Sequence, residues 1–151
     1  MVPVLVCLGV GALGSLLSVG KNLSDWYAAL NKPWFNPPNW VFAPVWTTLY
    51  VLMGVAVFLV WRKGWEHRSV RIGLVLFAVQ LALNALWTPL FFGCHWIGAA
   101  LIDIVLLWPA ILATIAAFHR VSLLAAVCLY PYLVWVSFAA VLNFRLWQLN
   151  P

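Results

Sequence analysis

Charge is what this sequence has least of. Eight of its 151 residues are Lys or Arg and three are Asp or Glu, so 7 % are charged where a soluble domain carries roughly 25 %. A water-soluble fold of this composition would have no polar coat, and its surface must therefore face lipid. Cysteine is scarce as well. Cys7, Cys94 and Cys128 are odd in number and show no metal-like spacing, so they read as apolar packing residues. His67, His95 and His119 are scattered without ligand-like pairing on a helix, which argues against a metal site. A phosphate-binding glycine loop is missing, and no Ser or Cys nucleophile accompanies a His in a readable motif. Conventional catalysis is not expected, and no cofactor is required. The net charge is +5, but the basic residues lie between or at the ends of apolar runs. They form no basic stripe, so their role is topology and nucleic acid is not an expected partner.

What is abundant is apolar residue in long continuous runs, 66 % of the chain. In lipid every backbone group must be satisfied internally, so spans are helices or closed barrels. Barrel strands would alternate apolar with polar residues; Ile104-Val105-Leu106-Leu107-Trp108 does not. The fold class expected is all-α. About 20 apolar residues cross the ~30 Å of hydrocarbon, and five segments qualify: Val2–Gly20, Val41–Trp61, Ile72–Phe92, Ile97–Phe118 and Val121–Trp147. No Lys or Arg precedes the first run, so it reads as a retained span rather than a signal peptide. The expectation is one transmembrane domain over residues 1–151, a five-transmembrane-helix bundle. Pro109 and Pro131 should kink or break spans four and five; Pro89 falls near the end of span three. Short turns at Gly93–Trp96 and His119–Arg120 make spans three, four and five antiparallel neighbours. Arg62, Lys63, Arg68, Arg71 and Arg120 lie on one side, and Lys21, Lys32 and Arg145 on the other. The positive-inside bias puts the N-terminus in the cytoplasm.

The connection Lys21–Trp40 is long and aromatic. Ser24 can cap a short helix over Asp25–Leu30, after which Pro33, Pro37 and Pro38 forbid helix. Three Trp, a Tyr and a Phe in an irregular loop are poorly placed in water, so the loop is expected to fold over the bundle end as a lid. Asn22-Leu23-Ser24 matches a glycosylation acceptor, a weak three-residue signal. Eleven Trp exceed what an interfacial belt accounts for. The belt covers Trp40, Trp61, Trp65, Trp96 and Trp147, and Trp26 and Trp34 lie in the loop; within or near the spans Trp46, Trp87, Trp108 and Trp135 remain, divided between helix packing and ligand lining. Gln80 and Asn84, four residues apart, share a face of span three that Trp87 continues. A side-chain amide in lipid faces the bundle interior, as an interhelical hydrogen bond or as the base of a pocket. Asp103, about two turns into span four, is the one acidic residue within a span, a structural or ligand-coupling group. Gly11, Gly14, Ser15 and Ser18 on span one, and Ala78 with Ala82 on span three, are small-residue stripes that allow close helix approach within the bundle or across a dimer.

Trp26-Tyr27-x-x-Leu30-x-Lys32-Pro33, Pro37-Pro38-x-Trp40 and Pro44-x-Trp46-x-x-Leu49-Tyr50 closely resemble the tryptophan-rich sensory protein family. This is also the translocator protein, or peripheral-type benzodiazepine receptor, family. Gln80 to Gly93, Tyr130-Pro131-Tyr132-Leu133-x-Trp135 and Leu142-Asn143-Phe144 extend the resemblance to Trp147. It implies a five-helix bundle, commonly a homodimer, with a cavity under the first loop for tetrapyrroles (porphyrin or haem) and for isoquinoline or benzodiazepine ligands. Carried over by position, the lining comprises Tyr27, Trp34, Pro37, Trp46, Tyr50, Asn84, Trp87, Thr88, Trp135 and Ala139. The functions implied are sensing or carrying tetrapyrroles, with porphyrin photodegradation at Trp46 and Trp135, or a structural partner role, as alternatives. Lys21, Lys32, Arg145 and His95 lie on the side where porphyrin carboxylates would emerge. No His lies deep in a span, so strong axial iron ligation is not built in. The family's sterol pattern fails at Phe144-Arg145, which argues against sterol transport. The missing polar tail points to a bacterial membrane rather than a mitochondrial outer membrane.

Overall fold

A computed structural model describes the backbone of residues 2–17 and 27–151, and their side chains apart from 13–17 and 39. Within it lie five α-helices: α1 (Val2–Leu17), α2 (Asn39–Trp61), α3 (Arg68–Thr88), α4 (Ile97–His119) and α5 (Leu123–Leu149). No strand occurs among the described residues. Four of the helices, α2 to α5, are long and apolar enough to cross a membrane. Helix α1 is equally apolar, but its 16 described residues cover only about 24 Å at ~1.5 Å per residue. The outward faces carry large apolar side chains, Val134 at 70 %, Ile102 at 65 % and Leu106 at 56 % exposed. In water these would be a severe liability, whereas in lipid they are the expected coat. The chain is a multi-pass integral membrane protein.

Helix boundaries shift a little from the hydropathy reading. Helix α3 begins at Arg68 rather than Ile72, because its first turn is helical but polar and hydropathy does not register it. Helix α5 is preceded by Ser122, whose hydroxyl accepts the Ala125 amide at 3.3 Å, a side-chain N-cap. Pro109 and Pro131 do not interrupt their helices, and neither does Pro44 in α2. Each removes one amide and frees one carbonyl a turn earlier, and all three prolines lie on exposed faces. Pro89 acts differently. The helix widens there to a π turn, Pro89–Gly93, closed by Cys94 N–H to Pro89 O at 2.8 Å and Trp96 N–H to Leu90 O at 2.9 Å. The reversal into α4 then passes through His95 at φ 59°, a left-handed conformation uncommon outside glycine.

The helices close into a ring in the order α1, α2, α5, α4, α3 and back to α1. Met53, Ala56, Ile111, Phe118, Tyr132 and Val136 are fully buried inside it. Phe77 stacks on Phe118 at 6.0 Å. A second apolar cluster, with Tyr27, Phe91, Ile97 and Leu146, caps the end nearest the aromatic loop. Of that loop, residues 27–29 form a helical turn; Ser24, Asp25, Trp26, Lys21 and the glycosylation-like triplet lie outside the described residues. Asn31 and the C-terminal end of α5 grip one another. The Asn31 amide donates to Asn150 Oδ1 at 3.0 Å, and Asn150 Nδ2 donates to Asn31 O at 2.9 Å.

Small residues set how closely α1 and α2 approach. A Cβ at Gly54 would land on the backbone of Val4, and one at Gly11 would strike the Tyr50 ring. Gly11 therefore acts within the bundle, whereas Ala78 and Ala82 are exposed on α3. Ser18 and the side chain of Ser15 lie outside the described residues. Backbone cannot yield as a side-chain tip can, so Gly54→Leu should force α1 away from α2. The expected cost is about 1–3 kcal/mol, the usual range for overpacking, seen as a lower thermal midpoint in detergent. Gly9→Leu, where a Cβ meets nothing, should melt like wild type.

Candidate functional site

Two faces decide the site. Residues Tyr50 and Trp46 lie one turn apart on α2, and Trp135, Ala139 and Asn143 recur every four residues on α5, so each set points one way. With Trp87 and Thr88 at the end of α3, Gly11 of α1, and Phe91 and Phe92 of the π turn, they enclose a cavity of about 620 Å³. Tyr27 closes it on the loop side. That volume lies within the roughly 300–1,000 Å³ of small-molecule sites. The walls are mostly aromatic. Trp46 stacks on Tyr50 at 5.8 Å and meets Trp135 edge-on at 6.4 Å. Trp87 stacks on Phe91 at 5.0 Å.

The polar groups beneath the cavity form one chain of hydrogen bonds. Tyr50 OH donates to Asn84 Oδ1 at 2.6 Å, Asn84 Nδ2 donates to Tyr132 OH at 2.8 Å, and Tyr132 OH donates to Gln80 Oε1 at 2.8 Å. Gln80 Nε2 ends it against Met53 Sδ at 3.9 Å. A second link orients the wall: Trp87 Nε1 donates to Asn143 Oδ1 at 2.9 Å, while Asn143 Nδ2 donates to the Ile97 carbonyl at 3.1 Å. Asp103 is buried, and neither carboxylate oxygen has a hydrogen-bond partner among the described residues. It does not line the cavity. The Trp135 indole N–H is likewise buried without a hydrogen-bond partner among them.

Seven of the ten lining residues named from sequence meet at this cavity: Tyr27, Trp46, Tyr50, Trp87, Thr88, Trp135 and Ala139. The other three do not. Trp34 is 95 % exposed and meets Phe35 edge-on at 5.6 Å among the described residues, because the turn from Pro33 to Asn36 carries it outward. Pro37 is half-buried in the loop, its carbonyl accepting Asn36 Nδ2 at 3.2 Å. Asn84 lies behind Tyr50, its amide committed to the two tyrosines. Trp108 is a packing residue, donating to Ser137 Oγ at 2.8 Å. Asn143 was the lining residue most open to discovery from sequence, since it continues the 135–139 face. Gly11, Ala12 and Leu8 of α1 carry no such signal.

Lys21 lies outside the described residues, and Lys32, Arg145 and His95 do not line the cavity. Lys32 Nζ sits 4.9 Å from the centre of the Tyr27 ring and donates to the Ala28 and Leu30 carbonyls. Arg145 donates to Gln148 at 2.8 Å, and His95 is exposed in the turn. Tyr27 packs on Phe92 at 5.7 Å and donates to Asn36 Oδ1 at 3.2 Å. Burial raises its phenol above the ordinary tyrosine value, and the Asn36 bond only partly offsets this. Among the described residues no group of three or more His, Cys, Asp or Glu is arranged to hold a metal ion.

Comparison with known proteins agrees with the geometry. The model of the TspO/MBR family matches residues 3–148. The chain is 51 % identical to the tryptophan-rich protein TspO of Chlorobaculum tepidum, over 97 % of this chain and 92 % of that one. It is 41 % identical to protein CrtK of Rhodobacter capsulatus, over 96 % and 88 %. The bovine translocator protein is 45 % identical, over 93 % and 83 %.

The hydrogen-bonded chain gives a direct test. Tyr132→Phe removes one oxygen and leaves Asn84 Nδ2 and Gln80 Oε1 unpaired. Unpaired buried groups cost about 1–3 kcal/mol, although membrane hydrogen bonds average nearer ~0.6 kcal/mol. With two groups orphaned, a loss of about 1–2 kcal/mol is expected in reversible unfolding. Tyr50→Phe, which orphans only Asn84 Oδ1, should lose less.

Proposed function

Because the chain belongs to the TspO/MBR family, we propose that it is a membrane receptor for tetrapyrroles and similar flat apolar ligands, acting as sensor or carrier. The observation that carries this reading is the meeting of Trp46, Trp87, Trp135 and Tyr27 around one cavity of about 620 Å³. A porphyrin is a flat apolar disc with carboxylate edges, and indole and phenol faces stack on such a disc. The same walls suit isoquinoline or benzodiazepine ligands. We read Val2–Leu17 as the described part of a fifth span, so that one transmembrane domain covers the chain, and the loop over residues 27–38 as part of a lid. The ligand-binding set is Tyr27, Trp46, Tyr50, Trp87, Thr88, Trp135 and Ala139, with Asn84 positioning Tyr50 from behind. Assembly as a homodimer belongs to the same reading.

A second reading has one observation in its favour. Trp46 and Trp135 touch edge-on at 6.4 Å and both border the cavity, so a bound porphyrin would lie against two indoles. Light-driven oxidation of the porphyrin by dioxygen would then proceed beside them.

Two measurements test these readings. No histidine lines the cavity among the described residues, so free-base protoporphyrin should bind about as tightly as haem in fluorescence-quenching titrations. Trp46→Ala and Trp135→Ala should each weaken binding roughly 3- to 10-fold, since an aromatic contact contributes ~0.5–1.5 kcal/mol beyond burial. Unchanged affinity in both variants would sink the cavity reading. Under illumination in air, the complex should lose its porphyrin absorbance faster than the Trp46→Phe/Trp135→Phe double variant if the chemistry belongs to the protein. Equal rates would leave the receptor reading alone standing.

A further inference from the structure

A second concavity lies on the outside of the bundle, between α2 and α5. It is a groove of about 910 Å³, lined by Pro44, Val45, Thr48, Leu49, Leu52, Tyr130, Pro131, Val134, Trp135 and Phe138. It opens on the face that meets lipid, where Val134 is 70 % and Tyr130 44 % exposed. One residue, Trp135, borders both this groove and the interior cavity. Taking the cavity as the ligand site argued above, we propose that the α2–α5 groove is a lateral portal. Flat apolar ligands dissolved in the bilayer pass through it into the cavity, with the Trp135 indole as the moving partition.

Three observations support a partition that moves. First, Trp135 is held by ring contacts: Phe42 at 5.9 Å, Trp46 at 6.4 Å and Phe138 at 5.5 Å. Trp87 and Trp108 are tethered by hydrogen bonds to Asn143 and Ser137, but the Trp135 N–H has no hydrogen-bond partner among the described residues. Rotating Trp135 therefore breaks no hydrogen bond, and its N–H is left to meet an acceptor on the passing ligand. Second, both helices carry a proline at the groove, Pro44 and Pro131. Each deletes one backbone hydrogen bond on its own helix, which makes these the segments of α2 and α5 that give most readily. Third, the described part of the loop is fastened to the bundle. Asn31 and Asn150 clasp each other through both side chain and backbone, with Asn31 Nδ2 also reaching the Leu149 carbonyl at 3.4 Å. Tyr27 is wedged against Phe91 and Phe92. A ligand that partitions into hydrocarbon is already concentrated at the groove, and entry there never returns its apolar surface to water.

A portal changes rates and leaves the equilibrium alone. The test is stopped-flow quenching of tryptophan fluorescence by free-base protoporphyrin, using protein reconstituted in phosphatidylcholine vesicles. Val134→Phe and Thr48→Phe fill the groove from α5 and α2; both positions are exposed and neither is Trp135 itself. Each should slow association and dissociation about tenfold or more, with Kd within twofold of wild type. That unchanged Kd also shows the variant to be folded. Asn150→Ala, which unfastens the loop, should leave both rates within twofold. Unchanged rates in both filled variants, or an acceleration of both rates by Asn150→Ala, would overturn the portal while the cavity reading stands. No saturable quenching in the wild type would overturn the cavity reading, and the portal with it.

Discussion

In hydrocarbon a side-chain amide has no water to turn to, and the chain Tyr50–Asn84–Tyr132–Gln80 answers that constraint. Its members come from α2, α3 and α5, so satisfying their polar atoms fixes how three helices meet. Helix packing in lipid lacks the hydrophobic drive that works in water, which gives such directional contacts a larger share of the specificity. The cavity floor depends on the chain directly, because Tyr50 is both a member of it and part of the wall. Above it, the Trp87–Asn143–Ile97 link ties α3, α5 and the start of α4 together. The cavity is thus hung on two polar connections, with aromatic surface between them.

The same economy of polar groups separates rigid from adaptable parts of the wall. Trp87 and Tyr50 are oriented by hydrogen bonds, whereas Trp46 and Trp135 meet through rings. A site for a flat apolar ligand benefits from both. The tethered rings define a shape, and those held by dispersion and quadrupole contacts adjust to what enters. Small residues complete the arrangement: Gly11 keeps α1 clear of the Tyr50 ring and Gly54 lets α1 lie on α2. The prolines within α2, α4 and α5 are carried without breaking a helix, while Pro89 introduces the π turn that turns Phe91 and Phe92 toward Tyr27.

Membership of the family was legible in the order and spacing of the tryptophan and proline motifs, and membrane insertion in the shortage of charge. Helix-face arithmetic placed Gln80 and Asn84 inside the bundle, since an amide has nowhere else to go in lipid. It could not say which partner each amide takes, and so Asn84 went into the lining when its side chain is spent on two tyrosines. Trp34 stands outside the cavity for a related reason. A motif says that an aromatic residue stands at a position in a loop; the φ and ψ angles of a proline-rich turn decide whether its ring points in or out. Gly11, Ala12 and Leu8 carry no mark of a cavity wall, because small and aliphatic residues are ordinary anywhere in a span.

Sequence alone therefore determined that this chain is helical, lives in a bilayer, and carries an aromatic loop between its first two apolar runs, all consequences of local composition and periodicity. Tertiary structure decided which helices are neighbours, which polar atoms pair, and that Trp135 stands between an internal cavity and a groove facing lipid. Those are relations between residues 27 to 119 positions apart, set by how the helices close into a ring. No local pattern in the chain encodes them.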